Sequence, residues 1–173
     1  MSVKEDPFSD RNAFYYAREL YFYNQYPQAK SEFQRHLALP TATWAPERAA
    51  SMRYLAKIDQ DNAAQWLLMA IKQAPGRREA LVELAQHHYD KQSWEGCYEH
   101  SKAALGIVEK PLDYLCEEFA WGELPWDLAA LAAYNLGKYE EALELGKQAL
   151  ERNPSSERLL SNLAYYLSAA AAS

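Results

Sequence analysis

Apolar residues recur every three to four positions through most of the chain, in short blocks separated by polar turns. That spacing is the period of a helix buried along one face. The blocks alternate between two series. One carries Tyr16 and Leu20, Ala50 and Tyr54, Leu81 and Leu84, then Trp126 and Ala133. The other carries Phe33 and Leu37, Leu67 and Ile71, Ala104 and Leu105, then Ala149 and Leu150. Each block also holds a small residue at a fixed place: Ala17, Ser51, Ala85 and Ala130 in the first series, Ala29, Ala63, Cys97 and Ala142 in the second. This pattern predicts helix hairpins in which small residues meet, Ala17 opposite Ala29 and Ala85 opposite Cys97. Anything larger would overpack such a contact, at about 1–3 kcal/mol. Pro27, Pro46 and Pro125 suit first-turn positions, where a missing N–H does no harm. Asp59 or Asp61 is expected to cap the fourth helix. A final segment, SSERLLSNLAYYLSAAAAS, gives a stripe of Leu160, Leu163, Ala164 and Leu167 behind a Ser155 or Ser156 cap. Lacking a partner helix, it is expected to cover the last hairpin.

The small residues of the second series stand 34, 34 and 45 positions apart. Thirty-four is the period of the tetratricopeptide repeat, and the chain resembles that family. The last unit matches best, through Trp126, Ala130, Gly137, Tyr139, Ala142, Ala149 and Pro154. The third departs at His88, Cys97 and Glu109, where an apolar residue, alanine and proline are usual; the second has Gln60 in place of an aromatic. The resemblance implies an all-α fold: a right-handed α-solenoid of four such hairpins and a C-terminal capping helix, in one domain. Repeats fall at about 10–43, 44–77, 78–111 and 123–156, with the capping helix at about 156–171.

The jump from 34 to 45 places an insertion of 11 residues, at about 110–124, on YLCEEFAWGELPW. Pro111 and Pro125 bracket it, and a short extra helix is expected there. Trp126 belongs to the fourth repeat. Tyr114, Leu115, Phe119 and Trp121, with Cys116, are expected to fold back as a staple, with Glu117, Glu118 and Glu123 facing water.

Composition narrows the function classes. The chain has 173 residues, a net charge of −6 and no Lys/Arg run, which argues against nucleic acid and membrane as partners. Glycine is scarce, at six residues, and no strand–Gly-rich turn–helix unit marks a nucleotide site. Two cysteines are no disulfide framework and fit a reducing, cytoplasmic setting. The first ten residues lack the apolar core of a signal peptide, and no apolar run is long enough to span a bilayer.

Candidate chemistry is sparse. Asp59 and Asp61 in DQD resemble the acidic pair with which many glycosyltransferases hold a metal and a sugar nucleotide, but a turn between helices is the simpler reading. Cys97 and His100 lie one helical turn apart near His87, His88 and Cys116, yet four convergent ligands are not visible. Cys97 is expected to be a buried small residue, His88 a core histidine, and His87 and His100 solvated. No catalytic residue, cofactor or metal is expected.

A groove is the better candidate. In tetratricopeptide arrays the first helices line the concave face, which would gather Arg11, Phe14, Arg18, Tyr21 and Phe22. Arg48, Met52 and Leu55 would follow, then Glu79, Val82, Gln86 and Tyr89. Asp127, Leu131, Tyr134 and Asn135 come next, and Arg158 and Tyr165 from the last helix. Arginine and tyrosine are suited to gripping a peptide carboxylate or backbone. The expected partner is a protein or peptide, and the Tyr-rich edge helix makes a homodimer plausible.

A second likeness covers nearly the whole chain. RELY (Arg18 to Tyr21), WAPER (Trp44 to Arg48) and PGRRE (Pro75 to Glu79) are similar to elements in the tetratricopeptide tails of some bacterial and phage family-2 glycosyltransferases. That resemblance implies a non-catalytic assembly module, either such a tail or a free-standing relative, whose partner is a catalytic glycosyltransferase domain, an acceptor protein or another subunit. The alternative is a stand-alone peptide-binding adaptor using the Arg/Tyr groove.

Overall fold

The computed structural model describes residues 9–173. The described residues form nine α-helices and no strand, in two compact units, one ending at Pro75 and the other running Gly76–Ser173. Each has its own core.

The first unit holds two hairpins, α1 (Asp10–Phe22) with α2 (Tyr26–Ala38) and α3 (Ala45–Ile58) with α4 (Ala63–Gln73). Helix α1 begins at Ser9, whose hydroxyl accepts from the Asn12 N–H at 3.3 Å, as an N-cap should. Its buried face is Ala13, Phe14, Ala17 and Leu20, and Ala17 and Ala29 are fully buried. Pro27 and Pro46 sit in the first turns of α2 and α3. Phe33 of α2 stacks on Tyr54 of α3, centroids 4.9 Å apart at 7°, and Phe14 packs on Phe33 at 6.3 Å. Asp59 makes no capping bond to α4. It ends α3 instead, accepting from Trp66 Nε1 and Asn62 Nδ2, each at 3.2 Å, beside Lys30 at 3.4 Å. A 3-10 turn, Gln60–Asn62, intervenes and moves the α4 start beyond that carboxylate.

The second unit pairs α5 (Glu79–Asp90) with α6 (Trp94–Leu105), and α7 (Leu124–Asn135) with α8 (Tyr139–Arg152). Helix α9 (Glu157–Ala172) lies against α8. Pro125 opens α7, and the Ser156 hydroxyl caps α9 by accepting from the Leu159 N–H. Ala85, Cys97, Ala130 and Ala142 are all buried, at 0–1% exposure.

The face that α9 buries matches the expected one only at Leu163, which packs half-buried against the core. Leu159 and Tyr166 are buried, while Leu160 and Leu167 are each 58% exposed and Ala164 is exposed. Tyr166 turns inward because Gly146 of α8 leaves room for its ring: a Cβ on Gly146 would stand 2.8 Å from Tyr166 Cδ2.

The insertion does fold back onto its own unit, with one exception. Leu115 and Ala120 are buried, Phe119 and Trp121 half-buried, but Tyr114 is 48% exposed. A 3-10 turn, Glu118–Ala120, stands where a short helix was expected. Four ties hold the segment. Arg77 grips Asp113 through two nitrogens, at 2.6 and 2.9 Å. The Glu117 N–H donates to the buried Glu79 carboxylate at 3.1 Å. The Arg78 guanidinium lies 4.0 Å over the Trp121 ring and donates to the Ala120 carbonyl at 3.4 Å. Glu117 and Glu118 are exposed as expected, whereas Glu123 is half-buried and accepts from Asn153 Nδ2.

Candidate interaction surface

Helix α1 of the first unit carries the expected cationic aromatic surface in part. Arg11 is exposed. Arg18 lies between two exposed rings, its guanidinium 6.0 Å from Tyr15 and 5.8 Å from Phe22. Tyr21 is half-buried, edge-on to Tyr54 at 4.9 Å and to Tyr26 at 5.5 Å.

Three other candidates there belong to the interior. Phe14 is 0% exposed, Met52 4% and Leu55 0%, so none of them lines a groove; Phe14 packs on Phe33 and His36 of α2. Arg48 is half-buried and its donors are committed to the Leu37 and Ala42 carbonyls, at 3.0 and 2.9 Å, and to Gln73 Oε1 at 3.1 Å. It ties down the turn after α2.

In the second unit, α5, α7 and α9 bring the remaining candidates together. Arg158 of α9 donates to Asp127 Oδ2 of α7 at 2.6 Å; its side chain is 60% exposed while that of Asp127 is 6%. Arg158 is close enough to Tyr89 of α5 and to Tyr166 to act on both electrostatically. Tyr134 of α7 packs on Tyr166 at 5.5 Å. Burial and the Asp127 charge push the Tyr166 phenol pKa up, so it stays a neutral donor. Its hydroxyl is buried with no hydrogen-bond partner. Gln86 donates to Asp90 at 2.9 Å within α5, and exposed Asn135 to the Leu131 carbonyl at 2.8 Å within α7. Tyr165 is 66% exposed. Glu79, Val82 and Asp127 lie beneath, at 4% exposure or less. The surface thus has one partly free guanidinium anchored on a buried carboxylate, within electrostatic reach of Tyr89 and Tyr166. Such an arrangement can receive a carboxylate or backbone carbonyl, since Arg offers several donors in a fixed fork.

The thiol and imidazole candidates form no metal centre. No group of three or more His, Cys, Asp or Glu capable of holding a metal exists among the described residues. Burial pushes the Cys97 thiol up to about 12, and its Sγ lies 3.6 Å from the Leu128 carbonyl. It is a small packing residue of low reactivity. His88 is half-buried rather than core, stacked on His100 at 5.2 Å and 19°. His87 and His100 are half-buried too.

The sequence pattern passed over one constellation. His36 Nδ1 lies 2.7 Å from Ser51 Oγ, and His36 Nε2 lies 3.2 Å from Glu47 Oε1. These are the residue types of a hydrolytic triad, but with the two ring nitrogens exchanged, and the residues are 0%, 0% and 2% exposed, so no substrate reaches the hydroxyl. The three tie α2 to α3. The available signal was His36 standing three residues after Phe33 on the apolar face of α2.

No model of a known protein family matches the chain, and no curated protein matches it. Solved structures do. The chain is similar to a structure from a functional characterisation of Pseudomonas aeruginosa PilF, with a TM-score of 0.67 and 13% identity over 96% of this chain and 69% of that one. It is also similar to a chain in the APC/C hetero-tetramer Cut9–Hcn1, with a TM-score of 0.66 and 18% identity; the match covers 95% of this chain but only 31% of that one. These likenesses place the fold: an all-α, tetratricopeptide-like succession of helix hairpins. No helix among the described residues is long and apolar enough to cross a membrane.

Proposed function

We propose that this chain is a non-catalytic protein-interaction and assembly module that binds a partner segment on the α5–α7–α9 face. Arg158 is the anchor for a carboxylate or carbonyl, Tyr89 and Tyr134 are the walls, and Gln86 and Asn135 are polar contacts at the rim. The carrying observation is that Arg158, held by buried Asp127, still has a largely exposed side chain within electrostatic reach of Tyr89 of α5 and Tyr166 of α9. Arg11, Arg18 and Tyr21 on α1 are a second, weaker contact region.

The wider setting is that of a glycosyltransferase's helical tail, or a relative of one, supporting acceptor binding or oligomerisation; the RELY, WAPER and PGRRE elements support this. Two of those elements serve internal ties, through Glu47 and Arg48 and through Arg77 and Glu79. They therefore speak for a shared scaffold more than a shared contact. The alternative, a stand-alone peptide-binding adaptor, uses the same face.

Retention of a random peptide pool with free C-terminal carboxylates, against the same pool amidated, tests the reading. The wild-type chain is expected to retain free-carboxylate peptides, with Arg158→Glu and amidation each weakening retention at least about tenfold, the loss of one charge-assisted contact. Equal retention of both pools, or none, overturns the site. Transfer of sugar from a nucleotide sugar by the purified chain alone overturns the non-catalytic reading.

A further inference from the structure

Tyr166 of α9 is buried, at 2% exposure, and its hydroxyl meets no hydrogen-bond partner among the described residues. Packing explains the ring but not the hydroxyl. The recess over Gly146 admits the ring edge, and Tyr134 covers its face at 5.5 Å. Phenylalanine would fill that space equally well, without the cost of an unpaired buried O–H. The hydroxyl therefore calls for a second account.

Its surroundings supply one. Asp127 and Tyr134 stand seven residues apart on α7, and Arg158 and Tyr166 eight apart on α9, about two turns in each helix. Arg158 meets Asp127 at one level, at 2.6 Å, and Tyr166 packs on Tyr134 at the other. A helical side chain leans toward the N-terminus of its own helix. The Tyr166 ring thus leans from its level toward that of Asp127, whose carboxylate is the charged group acting most strongly on the phenol. Among the described residues that carboxylate accepts one side-chain hydrogen bond, from Arg158 Nη2, which leaves it room for another donor.

A carboxylate at 4% exposure needs a donor whenever it is charged. In the free chain Arg158 supplies it. Yet the Arg158 side chain is 60% exposed, and it is the group that the proposed ligand engages. We propose that Tyr166 is a positioning residue of this site: when a ligand anion draws Arg158 outward, the Tyr166 O–H donates to Asp127 in its place. The hydroxyl is unused in the free chain because its acceptor is already taken. This role rests on the binding reading given to Arg158 above and narrows the ligand to a carboxylate. A neutral carbonyl would share the guanidinium and leave its bond to Asp127 intact, whereas an anion competes for it.

Two experiments test the exchange, the first without any ligand. Urea unfolding is compared for wild type, Tyr166→Phe, Arg158→Ala and the double variant. In wild type, Tyr166→Phe should leave the unfolding equilibrium constant unchanged or shift it toward the folded state. In the Arg158→Ala background the same change should shift it at least about fivefold toward the unfolded state, the weight of one hydrogen bond. An equal effect in both backgrounds overturns the proposal. So does a loss of stability on Tyr166→Phe in wild type, which would mean that a bound water already satisfies the hydroxyl. An Arg158→Ala chain that does not fold also overturns it, since Tyr166 would then have failed to replace Arg158. In the second experiment, Tyr166→Phe should retain the free-carboxylate peptide pool at least about fivefold less well than wild type, with the amidated pool unaffected. Equal retention of free-carboxylate peptides by the two chains overturns the positioning role. If the four-chain comparison holds but wild type retains no peptide, the Arg158 binding reading fails while the contact between Tyr166 and Asp127 stands.

Discussion

Three hairpin turns depend on one left-handed residue each. Asn24, Gln92 and Gly137 have φ of 60°, 56° and 77°, and each stands five positions before the small contact residue of its hairpin, Ala29, Cys97 and Ala142. The left-handed region costs a side-chain-bearing residue roughly 1–2 kcal/mol, and glycine nothing comparable. Gln92→Gly should therefore stabilise the second unit by up to about 1 kcal/mol, after the extra chain entropy of glycine. Gly137→Ala should destabilise it by about 1–2 kcal/mol, and through backbone alone, because a Cβ there meets nothing within 4 Å. Thermal unfolding of both variants reads the two signs. Gly137 and Asn24 announce such turns in the sequence; Gln92 does not, because glutamine has no turn preference, and only its distance from Cys97 marks it. The same limit hid His36. A polar residue on an apolar face is recognised as a buried tie only when its partners are known, and Ser51 and Glu47 belong to the next helix.

At the scale of elements, the hairpins were legible because small residues repeat at one interval and tight helix contacts require them. Phase within a helix was less so. The stripe Leu160, Leu163, Ala164 and Leu167 was the most regular apolar pattern of α9, yet of it only Leu163 packs on the core, beside buried Leu159 and Tyr166. The choice was made by α8, where Gly146 leaves a recess for Tyr166, and no pattern within α9 contains that information. Phe14 and Met52 were misplaced for the same reason: they are apolar enough to be core whichever flank of the helix they occupy. The insertion was located by arithmetic, but its anchor, Arg77 to Asp113, joins residues 36 apart with no periodic relation. Hydrogen bonding to Arg77 holds the Asp113 carboxyl below its ordinary 3.8. The contribution is therefore complete above that value and lost as pH falls through the lower folded value. Asp113→Ala should cost about 1–3 kcal/mol at pH 7, measured by urea unfolding. The gap to wild type should narrow in acid below 3.8. A gap that stayed constant with pH would mean the pair does not anchor the insertion.

At the scale of the whole molecule, the two exposed flanks of α9 differ in chemistry. One flank of α9 offers Arg158, within electrostatic reach of Tyr89, and the other an uncharged leucine–alanine stripe. The net charge of −6 discourages nonspecific contact with other acidic surfaces. The central claim is that the α5–α7–α9 face binds an extended segment through Arg158. Backbone-amide NMR of the isotope-labelled chain, titrated with the free-carboxylate peptide pool, tests it most directly. Shifts should cluster around Gln86, Tyr89, Tyr134, Asn135 and Arg158, and vanish in Arg158→Glu. Shifts confined to α6 and α8, or a pattern unchanged by Arg158→Glu, would contradict it.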